Sequence, residues 1–70
     1  MMRHYVSSSV IRWYGFEPQS RTLEIEFQSG HVYRYDGVPP ETAAALDEAG
    51  SKGRFFDYYI REHFPAQRLR

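Results

Sequence analysis

The chain contains no cysteine. That excludes disulfides and thiolate metal ligands, two devices by which chains this short often reinforce a small core. The three histidines, His4, His31 and His63, show no ligand spacing, so neither a metal nor another cofactor is expected. No apolar run approaches the roughly 20 residues that span a bilayer. The opening "MMRHYVSSS" lacks the apolar centre of a signal peptide, so a cytoplasmic protein without a membrane partner is expected. Neither sign of charge is in surplus, with nine basic residues against nine acidic. The balance is uneven along the chain, however. Residues 1–50 carry a net −3 and residues 51–70 a net +3, from Lys52, Arg54, Arg61, Arg68 and Arg70 against Asp57 and Glu62. Such a basic end can meet an anion, although a solvated helix with a frayed tail accounts for it equally well.

Aromatic bulk takes the place of the missing reinforcement. Six Tyr, five Phe and one Trp stand in 70 residues. A chain of this length buries only about 60% of the surface its unfolded form exposes, and each ring can remove on the order of 150–250 Å² from water. Seventy residues make one domain, with residues 1–8 and 66–70 expected to be loose.

The clearest element is "TLEIEF", residues 22–27, in which Leu23, Ile25 and Phe27 alternate with Thr22, Glu24 and Glu26 as in a half-buried strand. The loop that follows decides where the next strand points. A two-residue Ser29-Gly30 loop would bury Arg34 beneath Ile25 and force Ser29 to positive φ. A three-residue loop, Gln28-Ser29-Gly30, needs only Gly30 in the left-handed region. It sets Phe27 opposite His31, Ile25 opposite Tyr33 and Leu23 opposite Tyr35, with Glu24 facing Arg34 on the outer side. Tyr33 and Tyr35 therefore lean toward the core, and Arg34 points out between them. Upstream, "VIRWYGF" reads as a strand whose parity breaks, and a bulge near Arg12–Trp13 lets Ile11 and Tyr14 both face inward. That bulge leaves Trp13 partly exposed. The short "EPQSR" and "QSG" connections make these three strands an antiparallel meander.

After "DGVPP", Pro40 suits a first helical turn, "ETAAALDEA" is helix-forming, and Gly50 is its expected stop. Leu46 is its only large apolar residue. Ser51 can cap a second helix over "RFFDYYIREHF", with Phe56, Tyr59, Ile60 and His63 on one stripe and Arg54, Asp57, Tyr58 and Arg61 outward. The expected fold is α+β, a three-stranded antiparallel β-meander followed by two α-helices packed on one face.

In their order and spacing, "SSSVI", "GF", "LEIEFQSG", "VYRYDGVP", "L..AGSKGRFF" and "IREHFP" resemble the KTSC domain, a short bacterial domain named for its place at the C-terminus of some lysyl-tRNA synthetases. The resemblance runs from about Ser7 to Pro65 and includes the central Tyr33-Arg34-Tyr35 motif. It implies a small stand-alone module without assigned catalytic residues, for which RNA binding is suggested by the synthetase connection. Trp13 departs from the pattern, either as an added packing anchor or as a contact for a partner.

The candidate sites follow from these placements. Ser51, Lys52, Gly53 and Arg54 can form an anion contact at a helix start, where unpaired amides and a partial positive charge gather. An ordinary serine cap flanked by two solvated cations is the simpler alternative. Arg34 and Arg61 add cations, and Trp13 and Tyr58 are the expected exposed aromatics, as single-stranded nucleic-acid binders require. No Ser, His and carboxylate can be tied together from sequence, so neither catalysis nor a small-molecule substrate is expected. The expectation is a non-enzymatic binding module for RNA, either tRNA or single-stranded. The alternative is association with a protein partner or a second copy through the aromatic first strand.

Overall fold

The computed structural model describes residues 1–70. Strand β1 is His4–Tyr5, β2 is Ile11–Glu17, β3 is Thr22–Phe27 and β4 is Val32–Tyr35. Helices α1, Pro40–Glu48, and α2, Lys52–Tyr59, follow, and β5, Ala66–Arg68, returns to the sheet. All neighbours are antiparallel, in the order β1-β2-β3-β4-β5. The three expected strands are therefore the middle of a five-stranded sheet. Segments 1–8 and 66–70, expected to be loose, supply its two edges. Backbone pairing holds them: His4 lies opposite Tyr14, and Tyr33 opposite Arg68.

The β3–β4 hairpin has the register that its loop dictates. Leu23 faces Tyr35, Glu24 faces Arg34 and Ile25 faces Tyr33. The Phe27 amide donates to the His31 carbonyl at 2.9 Å, and Gly30 takes φ +95°, as a left-handed closing residue must. The β2–β3 register shifts between Ile11 and Trp13, and the bulge turns both Ile11 and Tyr14 into the core.

Leu23, Ile25 and Val38 from the sheet side and Leu46 and Ile60 from the helices are fully buried between the two layers. An aromatic cluster closes the floor. Tyr33 and Tyr35 stack at 6.3 Å, while Phe56 meets Tyr35 edge-on at 5.5 Å and Phe27 at 5.1 Å. Such offset and edge-to-face contacts add about 0.5–1.5 kcal/mol each beyond their area. Tyr35 is buried and Tyr33 half-buried, so the central Tyr-x-Tyr motif is mainly sheet floor. Burial, with the Tyr33 hydroxyl nearby and partly offset by Arg61, pushes the Tyr35 phenol up to about 12.

Helix α2 is shorter than its apolar stripe suggests. It caps at Ile60, whose amide donates to Phe56 O at 3.0 Å, and Glu62 turns the chain out at φ +65°. His63, expected on the buried stripe, is consequently exposed, as is Tyr59. Helix α1 caps at Ala49, and Gly50 follows it as the stop. The Lys52 ammonium closes that end by donating to the carbonyls of Asp47 at 3.0 Å and Ala49 at 3.1 Å.

Candidate functional site

The expected contact residues divide between two faces. Ser51, Lys52, Gly53 and Arg54 stand together in an open cleft of about 710 Å³, facing Val6–Val10 across the start of α2. Ser51 Oγ accepts from the Arg54 amide at 3.3 Å, which makes it the N-cap. On the opposite wall, Ser8 Oγ accepts from the amides of Val10 and Ile11 at 3.1 and 3.2 Å and holds the "SSS" segment in a turn. Gly53 has a packing role: a Cβ there would lie 3.1 Å from Val10 Cγ2, so its small size lets the two walls approach. Lys52 is occupied with the end of α1, whereas the Arg54 guanidinium is exposed and has no carboxylate partner.

Arg54 and Tyr58 lie four residues apart on the solvent side of α2, and Arg61 follows immediately after the C-cap. Tyr58 is 70% exposed and touches Tyr59, which in turn packs on Phe55 at 4.8 Å. Arg61 pairs with Asp57 at 3.3 Å, both largely in solvent, a geometry worth only about 0.3–0.5 kcal/mol. Arg68 of β5 stands opposite Tyr33 and so shares the helix-bearing face. Its guanidinium has no acidic partner.

Two expected residues are elsewhere. Arg34 lies on the helix-free face, between Glu24 of β3 and Gln67 of β5 in the cross-strand row. It donates to Gln67 Oε1 at 2.8 Å and sits 3.3 Å from Asp36 Oδ1, so it joins no basic surface with the α2 start. Trp13 is the second correction. It is 2% exposed instead of partly exposed: its indole N–H donates to Glu26, and the Arg3 guanidinium lies 4.4 Å from its ring. The bulge does turn Trp13 away from the main core, but Arg3 and Glu26 cover it there. Glu26 itself, whose alternation with Ile25 reads as a solvated face, is buried. The signal that could have identified it is the indole directly opposite in register. The aromatic β2 is not an edge along Trp13–Tyr14, because β1 pairs with it there; the edges of the sheet are β1 and β5.

A second, shallower groove of about 390 Å³ runs between β2 and α1, walled by Tyr14, Phe16, Pro40 and Ala43. The Tyr14 hydroxyl donates to Asp47 there. Burial, followed by that carboxylate, raises the Tyr14 phenol well above its usual range. No group of three or more His, Asp or Glu side chains gathers in metal-binding proximity, and no helix is long and apolar enough to cross a membrane.

Comparison with known proteins places this arrangement in a family. The KTSC domain matches residues 7–64. An uncharacterized protein of Stutzerimonas stutzeri is 43% identical over 70 residues, covering 99% of both chains. A lysine–tRNA ligase of Nostoc punctiforme is 44% identical over 61 residues, which are 87% of this chain but only 11% of the ligase. The crystal structure of a KTSC domain protein from Yersinia pestis superimposes with a TM-score of 0.95 at 40% identity, over 99% of this chain and 97% of that one. The five-stranded sheet with two helices on one face is thus shared with a solved relative, and the chain belongs to the KTSC domain family.

Proposed function

We propose that this KTSC domain is a non-enzymatic module that binds RNA through its helix-bearing face. The observation that carries the reading is the placement of its uncommitted cations. On the helix-free face Arg12, Arg34 and Arg70 all contact carboxylates, and Arg3 covers Trp13. On the helix side Arg54 and Arg68 have no acidic partner, Arg61 has only a solvated one, and exposed Tyr58 lies one turn along α2 from Arg54. Cations that follow a backbone, next to an aromatic plane on which a base can stack, are the elements of single-strand recognition. The similarity to a segment of lysine–tRNA ligases, enzymes named for a tRNA substrate, supports the same partner class.

Because the chain is neutral overall, the interaction is confined to one face and depends strongly on salt. Three phosphate contacts, at Arg54, Arg61 and Arg68, give a log–log salt slope of about −2 for a single strand, so binding weakens roughly twentyfold between 50 and 200 mM salt. Titration of tRNA and an oligouridylate into the protein across that range tests the reading. Loss of binding in the Arg54→Glu/Arg61→Glu double variant is expected. Absence of binding at the lowest salt, or a salt-independent affinity, refutes it.

A second reading, association with a protein partner or another copy, rests on the exposed Tyr58–Tyr59 pair beside Phe55. Rings on a helix surface are frequent interface anchors. Molecular mass that rises with concentration in the wild type, but not in Tyr58→Ser/Tyr59→Ser, would favour self-association.

A further inference from the structure

One cross-strand row on the helix-free face ends in a gathering of arginines. The row runs Tyr5, Trp13, Glu26, Val32, each opposite the next, and the Val32 amide then donates to the Arg70 carbonyl at 2.9 Å. Glu26, 7% exposed, is its centre. One of its oxygens accepts the Trp13 indole N–H. The other accepts Arg12 Nη1 and Arg70 Nη2, both at 3.1 Å. Arg12 comes from the bulge in β2, and Arg70 comes from beyond β5. Arg3 is the third guanidinium, stacked on the same indole.

Hydrogen bonding leaves this cluster incomplete: two guanidinia meet at one carboxylate, and the third lies on the indole that the same carboxylate holds. Two of them share a single carboxylate oxygen, so neither makes the bidentate pair that guanidinium geometry favours. Each guanidinium has five N–H donors. Arg12 uses two, one on Glu26 and one on Gln28 O at 3.3 Å, and Arg70 uses one. The remaining donors face water, since the Arg12 and Arg70 side chains are 46% and 66% exposed. The adjacent row of the sheet, Glu24 with Arg34 and Gln67, is occupied with its own pairing and Asp36. A buried carboxylate oxygen thus brings together two guanidinia that keep most of their donors free.

We propose that Arg12 and Arg70, with Arg3 alongside, form an oxyanion site whose ligand is a phosphate dianion, either free or as a monoester. The several tetrahedrally arranged oxygens of a phosphate dianion can accept from both guanidinia at once. Chloride offers neither direction nor a second charge. The site is on the face opposite the proposed RNA surface and does not depend on it.

Trp13, the only tryptophan, is a built-in reporter. Its emission is followed at about pH 8, above the second pKa of both probes, while inorganic phosphate, or in a second arm uridine 5′-monophosphate, is added. Chloride at matched ionic strength is the control, and phosphorus NMR line broadening is read in parallel. A saturable response to phosphate is expected, weakened about tenfold or more in Arg70→Ala and in Arg12→Gln, each verified as folded by circular dichroism. It should be unchanged in Arg54→Glu/Arg61→Glu, which separates this site from the helix-side reading. A response to both probes assigns the site to phosphate monoesters as well as free phosphate. A response to inorganic phosphate alone restricts it to the free ion. No saturable response by either readout, an equal response to chloride, or an unchanged affinity in folded Arg70→Ala overturns the proposal.

Discussion

Replacing Tyr35 with alanine should unfold much of the population before it reveals anything about binding. The ring is 5% exposed, packed against Tyr33, Phe56 and, across the ladder, Leu23. Truncating a buried aromatic residue to alanine costs about 3–5 kcal/mol, because transfer and cavity terms add. At roughly 0.05–0.15 kcal/mol per residue, a 70-residue chain has about 3.5–10 kcal/mol in total. One substitution therefore removes a third or more of the stability. With a urea dependence of roughly 1 kcal/mol per molar at this size, the midpoint falls by about 3 M or the folded baseline vanishes. Tyr35→Phe keeps the ring and removes a hydroxyl that makes no hydrogen bond within the protein, so it should remain within about 0.5 kcal/mol of wild type. Tyr33→Ala, at a half-buried ring, should fall between the two. Urea denaturation followed by circular dichroism reads all three. A Tyr35→Ala protein with a wild-type midpoint that no longer binds RNA would mean that the tyrosines serve as a platform and not as a floor.

Three further outcomes follow from the packing. The Tyr35 phenol is raised from 10.0 to about 12 in the folded state, so stability should be level up to about pH 10 and fall as pH rises toward 12, while Tyr35→Phe flattens that decline in pH-dependent urea melts. Leu46→Ala removes the only large anchor of α1, whose other buried residue is Ala43, and should cost about 2–5 kcal/mol in the same assay, with amide exchange fastest in α1. Gly30→Ala places a side chain at φ +95° with open space around it, so its cost of about 1–2 kcal/mol is purely conformational and should leave the NMR spectrum unchanged away from the hairpin.

What the sequence revealed and what it concealed divide along local and non-local physics. The β3–β4 register was readable because Gly30 and the position of Arg34 admit only one loop length. The bulge was readable because Ile11 and Tyr14 cannot otherwise share a face. Strands of two and three residues carry no periodicity, so "HY" and "AQR" give no sign that pairing with Tyr14 and Tyr33 orders them. Trp13 and Glu26 bury one another from separate strands, and Arg3 and Arg70 complete the cover from positions 67 residues apart in the chain. No window of sequence contains that arrangement. At the candidate site, the "SKGR" segment was locatable as a helix start. That Lys52 serves the end of α1 while Arg54 stays free depends on how α1 and α2 meet.

The most direct test of the helix-side account is a map of backbone amide shifts during titration with an oligouridylate at low salt. The account predicts the largest changes at residues 51–61, together with Ser7–Val10 on the facing wall of the cleft and Arg68 on β5. Saturable shifts that leave α2 untouched, or no shifts at all, would contradict it.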